Sequence, residues 1–114
     1  NWYFALGQGM GATLQYSNET DAYTLTDRAT YLTQSDMLPF LDIMVGGNSI
    51  SNNPDPNLYN PYSIIPVNPS KSILVNHKLA LQFSDWLLHA ETQNRIANFR
   101  LSELGQPVFY PFMR

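Results

Sequence analysis

Three glycines alternate with other residues in Leu6-Gly7-Gln8-Gly9-Met10-Gly11-Ala12-Thr13-Leu14. Gly7 and Gly9 break regular structure, and Ala12-Thr13-Leu14-Gln15-Tyr16 reads as the first turns of a helix. A glycine-rich turn that feeds a helix start aims several backbone N–H groups one way. Those donors have no partner inside the helix, and the helix dipole adds partial positive charge at that end. The chemistry this suits is capture of an anion. No Lys or Arg occurs from Asn1 to Asp27, so the grip would come from peptide dipoles and hydroxyls. The bland alternative is a packed turn in which glycine supplies only backbone angles.

A second group lies in Tyr23-Thr24-Leu25-Thr26-Asp27-Arg28. Ligands of open α/β sheets sit beyond the carboxyl ends of strands, where helices begin. Thr24 and Thr26 fall on one face of a strand. Their hydroxyls, with the N–H groups opening the next helix, could donate to an anion, and Arg28 could add a forked guanidinium. Asp27 is a poor anion ligand while ionised and suits accepting from backbone or orienting Arg28. The competing reading has Thr26 and Asp27 capping the helix and Arg28 pairing with Asp27 or Asp21.

Other chemistries find little support. His77 and His89 stand at opposite ends of one predicted helix, about 18 Å apart, so they cannot share a metal. Both read as surface or capping residues. Met10, Met37, Met44 and Met113 lack metal spacing and fill gaps by default. The Gly-x-Gly-x-Gly spacing matches neither the dinucleotide fingerprint nor the phosphate loop, and no Gly-Lys-Ser or Gly-Lys-Thr follows. No Ser, His and acid constellation suggests nucleophilic catalysis. Asn18-Glu19-Thr20 is a glycosylation sequon, a triplet that also arises by chance.

These residues must be positioned by a chain of 114 residues, suited to one domain. Hydrophobic residues make up 44%, so the chain should fold, whereas charged residues are only 13%, well below the roughly 25% of an average soluble domain. Low charge with abundant aromatics suggests a surface meant to be covered by another lobe. A net charge of −3 and the lack of a basic stripe argue against nucleic acid. Cysteine is absent, which removes disulfides and thiolate metal sites. No apolar run approaches the ~20 residues of a membrane span. The aromatic opening Asn1-Trp2-Tyr3-Phe4 suggests a piece of a longer protein.

In chain order, residues 1–6 read as a helix end or apolar connection. A helix follows from Met10 to Ser17, with Met10, Leu14 and Ser17 on one stripe, and a polar turn over Asn18–Asp21. Residues 22–26 read as a strand. Thr26 or Asp27 then caps a helix from Arg28 to Gln34, with Ala29, Leu32 and Tyr31 inward. Residues 41–45 form a strand stopped by Gly46-Gly47. Residues 48–60, with five Asn and two Pro, form a loop. Residues 62–67 form a strand whose Pro66 belongs at an edge or bulge. Asn76 caps the longest helix, His77 to Leu88, with Leu79, Phe83, Trp86 and Leu87 buried. A short helix over 91–99 brings Ile96 and Phe99 together. The tail 101–114 is extended and packs on the body or a neighbour. Trp2 and Trp86 read as core. Strands alternating with helices argue for an α/β layer structure.

Several of these stretches closely resemble the periplasmic tungstate-binding protein family of ABC importers. They are Gly7-Gln8-Gly9-Met10-Gly11-Ala12-Thr13-Leu14, the run Ala22 to Leu32, Asn60-Pro61-Tyr62-Ser63-Ile64-Ile65-Pro66-Val67-Asn68-Pro69, Phe83-Ser84-Asp85-Trp86-Leu87 and Gly105-Gln106-Pro107-Val108-Phe109-Tyr110-Pro111. The order is kept over nearly the whole chain. The resemblance implies a type II periplasmic-binding-protein fold, a three-layer α/β sandwich of two hinged lobes that clasp tungstate or molybdate. It implies no catalysis and no cofactor, a periplasmic or extracellular location, and a membrane permease as partner.

The resemblance covers only the later part of such a protein. It implies that residues 1–114 are most of one lobe, holding half a site, with the first lobe and an Arg-Gly-Asp-containing segment lying elsewhere. Gly9, Met10 and Gly11 then act as backbone donors beside Thr13. Thr24, Thr26 and Arg28 form the facing wall, with Asp27 in support, and either threonine could touch the anion. The loop over 48–60 is longer than the family suggests. Two other functions stay open. One is a same-fold binder or sensor of another small anion. The other is a transferase on a small phosphorylated substrate, for which Asp27 is the general base on offer.

Overall fold

The computed structural model describes residues 2–47 and 50–111. Asn1, Asn48, Phe112 and Met113, on which parts of the sequence reading fall, lie outside the described residues. The helices are α1 (Met10–Thr20), α2 (Arg28–Gln34), α3 (His77–Leu88), α4 (Ala90–Ala97) and α5 (Leu101–Leu104). Short 3₁₀ turns lie at Ser35–Met37, Ile50–Asn52, Pro56–Leu58 and Pro69–Lys71. The chain divides into two compact units, Asn1–Asn60 and Pro61–Arg114.

In the first unit α1 packs on α2. Leu14, at 1% exposure, is the best buried side chain, and Leu32 and Leu38 join it in the core. The expected stripe holds at Leu14 and Ser17, which are buried, while Met10 stays partly exposed. Helix α1 runs three residues beyond the expected end at Ser17. Asn18 does not turn the chain. It is buried, and its Oδ1 accepts the Phe40 N–H at 2.9 Å. That bond fixes the segment after α2 on α1. The sequon asparagine therefore sits inside a helix with its amide engaged. The helix closes one turn later, where Asp21 adopts φ 52° and its N–H reaches the Ser17 carbonyl.

Helix α2 has the predicted bounds, and of the two candidate caps it is Asp27 that holds its first turn. Leu32 is buried as expected, with Ala29 and Tyr31 half-buried.

In the second unit Asn76 caps α3 through the Leu79 N–H at 3.0 Å, again as its position predicts. His89 ends α3 with extended backbone (φ −64°, ψ 140°) and serves α4 as N-cap, its Nδ1 accepting the Glu91 N–H at 3.4 Å. One residue thus closes one helix and opens the next, so α4 spans 90–97 rather than 91–99. Ser84 and Thr92 are buried where α3 meets α4, and Gln93 Nε2 donates to the Leu87 carbonyl at 2.8 Å.

The tail is not wholly extended. Residues 101–104 form a helical turn, entered by Arg100 at φ 54° and left by Gly105 at φ 66°. Beyond it Val108 is buried, and the Phe109 ring lies 6.1 Å from Tyr62 and 6.3 Å from Phe99.

Three expectations need correction. The segments 22–26, 41–45 and 62–67 do not pair into a sheet, and among the described residues there is no strand. The three-layer α/β sandwich is therefore not seen among the described residues. A strand exists only with a hydrogen-bonded neighbour, and alternation in sequence specifies faces rather than partners. The apolar face expected to bury α3 is turned outward: Leu79, Phe83 and Trp86 are more than half exposed, and Ser84 and Ala80 lie on the inner side instead. Trp2, at 93% exposure, is not core either. An amphipathic face reports that a residue wants cover, not that the same unit supplies it.

Candidate functional site

The start of α1 is built from backbone alone. Gly7 takes φ +62°, a conformation costly for any residue with a Cβ, and turns the chain into the helix. Gly9 is the N-cap, with φ −67° and ψ 163°, and no side chain caps the helix. The Thr13 N–H is satisfied by the Gly9 carbonyl at 3.0 Å. The three N–H groups before it, on Met10, Gly11 and Ala12, have no partner among the described residues. No acidic residue lies in this first turn. These amides are therefore an open set of aligned donors at the positive end of an eleven-residue helix.

The side-chain caps of α2 and α3 show what this one lacks. Asp27 Oδ1 accepts the Thr30 N–H at 2.7 Å, and Asn76 Oδ1 accepts the Leu79 N–H at 3.0 Å. Each takes the donor three residues on. The corresponding donor for Gly9 belongs to Ala12 and is left for something from outside.

Gly11 has a separate role. A Cβ there would run into the Gln34 side-chain amide, so the glycine lets α2 approach α1. Gln34 Oε1 is itself buried with no hydrogen-bond partner.

Of the second group, the structure brings Asp27 against the first. The Asp27 N–H points at Met10 Sδ, 3.2 Å away, so the first residue of α1 touches the N-cap of α2 across 17 positions of sequence. Asp27 is otherwise used within α2: its carboxylate caps Thr30, and its carbonyl accepts from the Tyr31 N–H at 3.2 Å and from the Thr26 hydroxyl at 3.1 Å. The Thr13 hydroxyl likewise donates to the Gly9 carbonyl at 3.1 Å. A hydroxyl has one proton, so Thr13 and Thr26 must rotate away from these carbonyls to donate to a ligand. Thr24 is exposed, and among the described residues no hydrogen bond joins it to the glycine turn. Arg28 Nη1 reaches the Gly47 carbonyl at 3.4 Å, which draws its guanidinium toward the Gly46-Gly47 turn.

The sulfur contact is what sequence reasoning missed. Nothing in the spacing of Met10 and Asp27 announces it, because gap-filling is what an unassigned methionine ordinarily does. Among the described residues no three His, Cys, Asp or Glu side chains gather. His89 caps α4, as its position suggested.

Comparison with known proteins adds a second line of evidence. The chain is 38% identical over 111 residues to the tungstate-binding protein TupA of Peptoclostridium acidaminophilum, covering 97% of this chain and 36% of that protein. It is 36% identical over 109 residues to the tungstate-binding protein TupA of Campylobacter jejuni, covering 96% of this chain and 38% of that one. A protein of Haloferax volcanii named as an ABC transporter anion-binding protein is 40% identical over 115 residues, 96% of this chain and 31% of its own length. The chain thus spans about a third of the length of the curated relatives it matches. No protein-family profile matches the chain. No solved structure matches it.

Proposed function

We propose that this partial relative of the tungstate-binding proteins supplies one wall of an oxyanion site in the extracytoplasmic solute-binding component of an ABC importer. The observation that carries the reading is the uncapped start of α1, where the Met10, Gly11 and Ala12 amides await an acceptor. Tungstate and molybdate are fully deprotonated at neutral pH and only accept hydrogen bonds. A cradle of N–H donors satisfies every lone pair it meets. Protonated phosphate fits worse, because its hydroxyl would face another donor with neither satisfied.

In this reading Gly9 leaves the helix start uncapped, Met10, Gly11 and Ala12 give the backbone cradle, and Thr13 turns its hydroxyl inward on binding. Thr24, Thr26 and Arg28 line the facing wall. Asp27 keeps its charge directed into α2, away from the anion. The site binds without transforming its ligand and needs no cofactor. The remaining donors come from the other lobe of the longer protein, and lobe closure expels water and strengthens each contact. The membrane permease receives the anion from the closed form.

The two-lobed α/β sandwich belongs to the same proposal. Tyr23 is 88% exposed and Ile65 82% exposed, each in a segment that belongs to no helix and no ladder. Such segments become strands when a neighbouring strand from the rest of the protein pairs with them. The outward faces of α3 and α4 are then covered as the layers stack.

The test uses the full-length protein in titration calorimetry and thermal unfolding with tungstate, molybdate, sulfate and phosphate. Heat release and an upward shift of Tm at micromolar tungstate or molybdate are expected. No response to either anion at that level overturns the reading.

A further inference from the structure

The side chain of Met10 has no place in the oxyanion cradle as described, where the residue contributes only its N–H. Its sulfur instead accepts the Asp27 N–H at 3.2 Å. Asp27 is the N-cap of α2, and its Oδ1 is committed to the Thr30 N–H. One residue therefore faces two ways: its amide opens toward the seat at the start of α1, and its thioether holds the backbone that aims a carboxylate into α2. The intervening segment 22–26 has no ladder to hold it, so the sulfur contact is a direct link between the two helix starts. Three rotatable bonds let methionine reach such a donor where a branched side chain would not.

The carboxylate makes this link matter for binding. An ionised Asp27 that drifted toward α1 would repel an anion seated there and compete for its donors. We infer that Met10 is a positioning residue whose sulfur, by holding the Asp27 N–H, keeps the Asp27 carboxylate turned away from the oxyanion seat. The inference rests on the oxyanion reading for its effect on affinity, but the sulfur contact can be tested without it.

The experiment compares Met10→Leu and Met10→Gln in the full-length protein. Leucine keeps the bulk and removes the acceptor; glutamine restores an acceptor at similar reach. Two quantities are read: hydrogen exchange of the Asp27 amide without anion, and tungstate affinity by calorimetry. Met10→Leu should speed Asp27 exchange and weaken tungstate binding by about threefold to tenfold, the loss of one neutral hydrogen bond. Met10→Gln should restore both to within about twofold. Unchanged Asp27 exchange in Met10→Leu overturns the inference. So does equal weakening by both variants, since that would reflect packing alone. An unsubstituted protein that ignores tungstate sinks the oxyanion reading, and Asp27 exchange alone then upholds or overturns the clamp.

Discussion

Gly9 offers a direct way to set stability against binding. Its φ −67° and ψ 163° nearly match Asp27 at φ −80° and ψ 160°, which caps α2 through the N–H three residues on. The space where a Gly9 Cβ would stand is empty. Gly9→Asp should therefore place a carboxylate on the Ala12 N–H in the geometry that Asp27 shows with Thr30. Replacing a glycine cap by Asp gains a few tenths of a kcal/mol. A negative charge at a helix start adds ~0.3–1 kcal/mol. The variant should be more stable than the parent by about 0.5–1 kcal/mol, read from urea denaturation without anion.

The same substitution takes a donor from the oxyanion. A hydrogen bond to a charged group is worth ~1.5–3 kcal/mol, and tenfold in affinity is ~1.4 kcal/mol, so the loss is tenfold to a hundredfold before repulsion is counted. Gly9→Asn fills the cap without the charge and should fall between the two. The assay pairs denaturation with tungstate calorimetry on the same preparations. Gly9→Asp that gains stability yet binds tungstate like the parent would refute the reasoning, because the Ala12 amide would then have no part in holding the anion.

Further substitutions test how the seat is held. Gly7→Ala should cost ~1 kcal/mol in denaturation from backbone strain alone, since φ is +62° and nothing lies within 4 Å of the new carbon. Gly11→Ala displaces the Gln34 amide. The gain of up to ~1 kcal/mol from alanine in a helix should then roughly cancel the ~0.5–1.5 kcal/mol of a strained rotamer. In a Gln34→Ala background the same change should turn stabilising; a cost above about 2 kcal/mol there would mean that backbone, not Gln34, forbids the side chain. Leu14→Ala should destabilise by ~2–4 kcal/mol, as Leu14 is the most deeply buried side chain described. A loss under about 1 kcal/mol would show that the α1–α2 core carries little of the stability.

The helices were legible because their signals are local. Asp27 and Asn76 accept from donors three residues away, so α2 and α3 could be bounded from a few residues of sequence. His89 shows the limit of that rule. Its backbone stays extended while it ends α3 and caps α4, and because one residue does both, sequence alone places the start of α4 one residue late. Asn18 misleads for the opposite reason. Its type suggests a turn, yet a donor 22 residues away, the Phe40 N–H, engages its side chain and lets α1 continue. Local chemistry sets an element's ends only where no distant partner competes for the same atoms.

The strands and the seat divide along the same line. Tyr23 and Leu25 carry a strand-like alternation that needs a neighbour before it becomes structure, and both side chains remain exposed. The donors at Met10, Gly11 and Ala12 need no neighbour to exist, since a helix start creates them wherever a cap is missing. Glycine at 7 and 9 therefore marks these donors in sequence, whereas the contact between Met10 and Asp27 has no local signal. Thr26 and Thr13 spend their single protons on nearby carbonyls, so hydroxyl type alone overstates what they offer. An anion site made of amides is built before its ligand arrives. One made of hydroxyls must break existing bonds to receive it. On the proposed oxyanion reading, that difference predicts that Thr13→Val, which removes a hydroxyl but no amide, weakens tungstate binding less than Gly9→Asp does. A larger loss in Thr13→Val calorimetry would move the grip from backbone to side chain.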